Sequence, residues 1–295
     1  MAASCIIAKM NPQILVTEPE ADYALVDSGA GEKLERLGDM LLARPDPQAL
    51  WPKRVPGEWT KADGIFDVRE RRWKFRAQVL RQWPISFADV KFLIRPSSFK
   101  HTGLFPEQRA NWQWLSKKIS RSGQKVSILN LFGYTGGATL AAAAAGAEVT
   151  HLDGSRAALN WARENAALSG MGDASIRWIL DDARAFVKRE IRRGRRYDGI
   201  ILDPPAFGRG PKGEVWKIED DFLHLLEECR QALSARPIFF LVNGYAAGYS
   251  AIAYANALAG FFEDGALEMG ELTIAESGVN ARLLPAGIFA RVSWV

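Results

Sequence analysis

The chain has 295 residues, 48% hydrophobic and 24% charged, with a formal net charge of +4. That length can bury a full core in one large domain or two modest ones, and so mild a basic excess permits a polyanionic partner without demanding one. Two cysteines, Cys5 and Cys229, cannot build a disulfide framework, and three scattered histidines lack ligand spacing, so no catalytic metal is expected.

The opening MAASCIIAKM has no charged lead-in followed by a long apolar run, so no signal peptide is expected. Sparse cysteine suits a reducing compartment, and the cytoplasm is the expected location. Up to about residue 100 the chain shows short β-like runs at 13–17, 23–27 and 64–78, broken by Pro45, Pro47, Pro52 and Pro56 and holding Trp51, Trp59, Trp73 and Trp83. This predicts a small β-rich unit over residues 1–98, a candidate for substrate recognition. Within it Arg69, Arg71, Arg72, Lys74 and Arg76 interleave with Trp73 and Phe75. On a strand, alternation would send Arg69 and Arg71 to one face and the other three to the opposite face, giving a basic surface able to track phosphates.

Residues 99–295 read differently. A helix at 106–120 precedes strands at 126–132, 148–152, 176–180, 197–202 and 237–242. Helices fall between them at 137–145, from the N-cap Ser155 to 169, at 183–193 and at 215–233, with another at 250–261. The segments 266–275 and 288–294 predict a closing antiparallel hairpin. The apolar stretch at 138–147 is too short to span a bilayer. Such alternation predicts an α/β fold, a Rossmann-like and mostly parallel sheet covered on both faces, with its ligand at the carboxyl ends of the strands. The cluster Arg192, Arg193, Arg195 and Arg196 lies at the opposite end and reads as a solvated turn.

Four motifs fall at successive strand ends. Asn130-Leu131-Phe132-Gly133-Tyr134-Thr135-Gly136-Gly137 leaves the first strand, where glycines admit a ligand close to the backbone or simply make a tight turn. Its spacing is not the G-x-G-x-x-G of dinucleotide enzymes. Asp153 closes the second strand, where a carboxylate can accept both ribose hydroxyls of an adenosine or serve as a helix cap. Asp181-Asp182-Ala183 closes the third, with an acidic side chain for an adenine amino group and Asp182 preferred, again against an N-cap role. Asp203-Pro204-Pro205-Ala206-Phe207 closes the fourth. Two prolines stiffen that turn and hold Asp203 toward the crevice, with Phe207 as an aromatic plane.

These residues resemble class I S-adenosylmethionine-dependent methyltransferases. The segment His101-Thr102-Gly103-Leu104-Phe105-Pro106-Glu107-Gln108-Arg109 resembles the K-x-G-x-F-x-D-Q-R signature of bacterial enzymes related to large-subunit ribosomal RNA methyltransferases. The resemblance covers roughly residues 95–295. It implies S-adenosylmethionine as cofactor, with Phe105 and Gln108 lying over it. Asn130, Phe132, Gly133, Tyr134, Thr135 and Gly136 would contact it from the first strand, Asp153, Gly154 and Ser155 from the second, and Asp181, Asp182, Ala183 and Asp203 from the next two. Asp203, Pro204, Pro205 and Phe207 are the implied catalytic group, and RNA the implied substrate. The first 98 residues do not match the PUA module that several relatives carry.

Methylation of a pyrimidine at carbon 5 needs a cysteine thiolate. Relatives that do this carry the cysteine just after the fifth strand, where this chain has Leu241-Val242-Asn243-Gly244-Tyr245. Cys229 falls mid-helix among leucines and reads as packed. A nitrogen nucleophile is therefore expected, although Ala206 separates the prolines from the aromatic that usually follows them directly. A flipped-out base is required if the target is folded RNA. The alternatives are a protein or small-molecule methyltransferase, a dinucleotide-dependent oxidoreductase, and a non-catalytic binding module.

Overall fold

A computed structural model describes residues 11–76, 80–97, 100–245, 248–262 and 264–294. The first part contains β1 (Gln13–Thr17), β2 (Tyr23–Gly29), β3 (Glu32–Leu37), β4 (Met40–Pro45), a single helical turn α1 (Pro56–Trp59), β5 (Gly64–Asp67), β6 (Arg72–Phe75), β7 (Trp83–Phe87) and β8 (Val90–Ile94). A 3-10 turn (Pro106–Gln108) leads into α2 (Arg109–Arg121). Then follow β9 (Ser127–Leu131), α3 (Gly137–Ala144), β10 (Glu148–Asp153), α4 (Arg156–Leu168), β11 (Ile176–Leu180), α5 (Ala183–Arg192) and β12 (Gly199–Leu202). The chain closes with β13 (Phe207–Arg209), β14 (Val215–Lys217), α6 (Ile218–Ala232), β15 (Phe239–Gly244), α7 (Ala251–Ala259), β16 (Ala266–Ala275) and β17 (Leu283–Ser293).

The large sheet has the order β1-β16-β17-β15-β12-β9-β10-β11. Its β15-β12-β9-β10-β11 portion is parallel, and β17 runs antiparallel to both β15 and β16. From β9 the chain moves outward through β10 to β11, then returns to β12 on the other side. That reversal opens a crevice at the carboxyl ends of the central strands. Helices α2, α3 and α4 cover one face with Trp112, Leu115, Leu140 and Ala166. Helices α5, α6 and α7 cover the other with Phe186, Phe222, Leu226, Cys229 and Leu258. Ser155 caps α4 by accepting from the Ala158 backbone N–H, as expected from the sequence.

Three elements depart from the sequence reading. The strand at 13–17, assigned to the N-terminal unit, instead extends the large sheet as a parallel partner of β16. Residues 215–217, read as the start of a helix, form β14 and pair with β13. Extension there carries Trp216 beneath the double proline, where its Nε1 donates to the Pro205 carbonyl at 2.7 Å. The basic run is a hairpin rather than one strand, because the chain reverses at Arg71 with φ 52°. Lys74 and Arg72 then turn back onto Asp67 and Glu70, so two of the five expected cations are paired in place.

The remaining N-terminal strands form the sheet β2-β3-β4-β5-β6 and the hairpin β7-β8. Both are fastened to the large domain. The Ser28 hydroxyl donates to Glu276 at 2.6 Å, and Arg282 bridges Asp27 and Glu276. On β8, the Leu93 N–H donates to Asn165 and its carbonyl accepts from Trp161. Among the described residues no helix is long and apolar enough to cross a membrane, and no three His, Cys, Asp or Glu gather as a group that could hold a metal ion.

Candidate active site

A cavity of about 530 Å³ occupies the crevice. Its walls are the ends of β9, β10, β11, β12 and β15 together with the 3-10 turn at Pro106–Gln108.

The loop after β9 forms the back wall. Phe132 and Tyr134 both adopt left-handed backbone conformations, φ 59° and 48°, which L residues with bulky side chains rarely occupy. Bonds on either side hold them there. Gly133 N–H donates to the Leu152 carbonyl at 2.9 Å, and Tyr134 N–H to Asp153 Oδ2 at 2.9 Å. A Cβ on Gly133 would stand 2.5 Å from the buried His151 ring, so this glycine serves packing between strands as much as ligand access. Tyr134 and Phe132 reach the cavity, whereas Asn130, Gly133, Thr135 and Gly136 lie behind its surface. Asn130 donates to Thr139, Thr135 to the Gly103 carbonyl, and Gly136 precedes α3 in a left-handed turn. Those four support the wall from behind.

Asp153 lines the cavity with Gly154 and Ser155. Each carboxylate oxygen already accepts one backbone N–H, from Tyr134 and from Ser155, which fixes the group and leaves further lone pairs. Burial raises its pKa, against these two hydrogen bonds. Asp181 pairs with Arg189 and accepts the Asp182 N–H. Asp182 caps α5, its Oδ1 accepting from Ala185 N–H at 2.8 Å. Both also line the cavity with Ala183, so the cap and a ligand-facing position coexist at Asp182.

Asp203 stands at the end of β12, with Pro204, Pro205 and Phe207 along the same wall. Burial alone pushes its carboxyl up to about 7. Trp216 braces the turn from below and meets the Phe132 ring at 5.0 Å. Phe207 is 55% exposed, an aromatic face open toward the cavity mouth.

The opposite wall comes from the segment at 101–108. Phe105 stands edge-on to Tyr134 and Tyr245, at 5.5 and 6.1 Å between ring centroids. Gln108 is oriented by Asn111, which donates to its Oε1 and to Asn243. Glu107, a residue sequence reasoning passed over, is 3% exposed and lines the same cavity. Burial lifts its carboxyl to about 7 although Lys33 and Arg44 pull the other way. His101, in the place of the signature lysine, is held neutral with its pKa lowered to about 4, chiefly by burial. Tyr245, just past the end of β15, lines the cavity as well, a position no local sequence motif marks. Cys229 is fully buried on α6, its thiol pushed well up by burial. Cys5 lies outside the described residues.

Comparison with known proteins agrees with this geometry. A family model described as S-adenosylmethionine-dependent methyltransferase matches residues 69–250. The ribosomal RNA large subunit methyltransferase K/L of Shewanella frigidimarina is 28% identical over 193 residues, 65% of this chain and 26% of that protein. Its counterpart from Pseudomonas putida is 30% identical over 234 residues, 76% of this chain and 30% of that protein. The chain thus spans less than a third of these curated relatives. A crystal structure of a SAM-dependent methyltransferase from Agrobacterium tumefaciens superposes with a TM-score of 0.93 at 41% identity, covering 96% of this chain and 94% of that one.

Proposed function

From the premise that the chain belongs to the S-adenosylmethionine-dependent methyltransferase family, we propose that it methylates a nitrogen on a base of RNA, with ribosomal RNA the favoured target. The observation that carries this reading is the convergence of Asp153, Asp182, Phe105 and Asp203 on one cavity. The acids suit the cofactor chemically. Asp153 has lone pairs to spare for ribose hydroxyls, Asp182 a second oxygen for an adenine amine, and Gln108 an oriented amide for the amino-acid end. When bound, S-adenosylmethionine supplies a methyl group carried on a positively charged sulfur.

The protein's own contribution is to place an acceptor in line with that methyl group, and positioning of this kind lowers a barrier by about 7–11 kcal/mol. The stiff turn at Pro204-Pro205 holds the Pro204 carbonyl and Asp203 where an amine N–H can donate to both. A carboxyl titrating near 7 sits in the range that suits a proton acceptor at neutral pH. Phe207 offers a plane on which a base can stack. The absence of a cysteine at the end of β15, and the burial of Cys229, support nitrogen over cysteine-assisted carbon chemistry.

Two measurements test the proposal. Calorimetry with S-adenosylhomocysteine should give saturable one-site binding, and NAD(P) none. Label from methyl-labelled S-adenosylmethionine should enter total RNA rather than a protein lysate. Label appearing only in protein would reverse the substrate assignment.

A further inference from the structure

A second cavity, of about 910 Å³, adjoins the first. Gly244, Tyr245, Ala286 and Gly287 line both, so Tyr245 stands at the junction. The second cavity contributes none of the residues assigned above to the cofactor or to the transferred methyl group. Its wall nevertheless carries a specific set of groups. Tyr245 and Tyr249 are each 40% exposed. The Tyr249 ring is backed by the buried Tyr254, 6.2 Å away and inclined by 33°, and Tyr254 is in turn backed by Phe222. Lys100 Nζ lies 5.8 Å from the Tyr245 ring centroid.

Open aromatic faces and one cation fit a ligand that is planar and has an anionic linker. A nucleotide has both features. Bases of single-stranded RNA are read by stacking on aromatic side chains and by hydrogen bonds to their edges. We propose that the second cavity binds the nucleotide adjacent to the methylated one in single-stranded RNA: Tyr245 and Tyr249 stack its base, and Lys100 contacts the linking phosphate. This rests on reading the first cavity as a methyl-transfer site for RNA. It adds a binding step that engages the neighbouring nucleotide through its base face and phosphate.

The test uses the full chain, saturated with S-adenosylhomocysteine, and a fluorescein-labelled ten-nucleotide RNA containing all four bases. Fluorescence anisotropy should show Tyr249→Ala weakening RNA binding roughly tenfold, the loss of one base–aromatic stack, with Tyr249→Phe staying within about twofold of wild type. Lys100→Gln should weaken binding and make the logarithmic salt dependence shallower by about one phosphate contact. Calorimetry should give the same S-adenosylhomocysteine affinity for all three variants. Wild-type RNA affinity in Tyr249→Ala or Lys100→Gln would overturn the proposal, as would a wild-type chain that binds S-adenosylhomocysteine but not this RNA. A wild-type chain that fails to bind S-adenosylhomocysteine would overturn the cofactor reading, and the proposal with it.

Discussion

Two regions of this molecule bury carboxylates and treat them in opposite ways. In the N-terminal sheet, Glu35 is fully buried among Lys33, Arg44 and Tyr23. Burial alone would raise its pKa. The charges of Arg44 and Lys33, with hydrogen bonds from Arg44 and Tyr23, overcome that and pull it to about 2. In the crevice cavity no cation among the described residues contacts Asp203, and Lys33 and Arg44 act on Glu107 only as a field, so desolvation wins and both carboxyls rise to about 7. The same side-chain chemistry gives a structural anchor where partners are close and a proton-exchanging group where they are not.

That contrast can be broken by mutation. The largest expected effect is on activity. Asp203→Asn should lower methyl transfer by roughly 10²–10⁴-fold, the range for removing a positioned proton acceptor, as read by initial rates with labelled cofactor. An equally active variant would remove Asp203 from the chemistry. The same substitution should stabilise the fold at pH 8 by roughly 1–3 kcal/mol, allowing for the partial opening of the cavity to solvent, as read by urea denaturation. In the other region, Glu35→Gln should cost about 3–5 kcal/mol, because Arg44 is left buried without its carboxylate partner while Lys33 keeps only Asp46. A variant melting like wild type would make that network dispensable.

Stability against pH sharpens the comparison because the two regions carry opposite signs. Glu35 is depressed in the folded state, so its contribution is complete above the ordinary glutamate range near 4.5 and is lost as pH falls toward 2. Asp203 is raised, so the folded chain holds a proton that the unfolded chain releases. Stability is therefore lost as pH climbs from 3.8 to about 7. Denaturation midpoints across that window should decline in wild type and decline less steeply in Asp203→Asn, where the raised Glu107 still contributes. A smaller effect is expected at the ribose position. Asp153→Ala removes hydrogen bonds to a charged group worth roughly 1.5–3 kcal/mol each, so calorimetry should show S-adenosylhomocysteine affinity falling by at least about tenfold. The smallest is Phe207→Ala, which should raise the KM for RNA by about fivefold or more with kcat little changed, the signature of lost stacking. A fall in kcat instead would assign Phe207 to alignment of the acceptor.

Much of the strand-end architecture was readable in advance because it is written locally. Ser155 caps a helix through a hydrogen bond that spans three residues. The double proline ends β12 through its own ring geometry. Asp153, Asp182 and Asp203 each follow an apolar run that alternates with helical segments, and all three line one cavity. What was misread depended on distant partners. Residues 215–217 are extended because Trp216 must reach Pro205. The arginine-rich run is split by the turn at Arg71, which pairs β6 with β5. Of the six loop positions, Asn130, Gly133 and Thr135 are packed against Thr139, His151 and Gly103, partners that lie elsewhere in the chain.

By itself, then, the sequence determined the alternation of the parallel strands with their helices, the turns that end them, and the residue types delivered to the carboxyl edge of the sheet. Propensity, capping and turn geometry act over a few residues, and neighbours suffice to specify them. Only the tertiary structure decided that β1 joins β16 at the far end of the chain, that Glu107 and Tyr245 enter the cavity, and that Glu35 is paired while Asp203 is not. Burial and ion pairing depend on which distant groups arrive within a few ångströms, and one chain of letters does not record that distance.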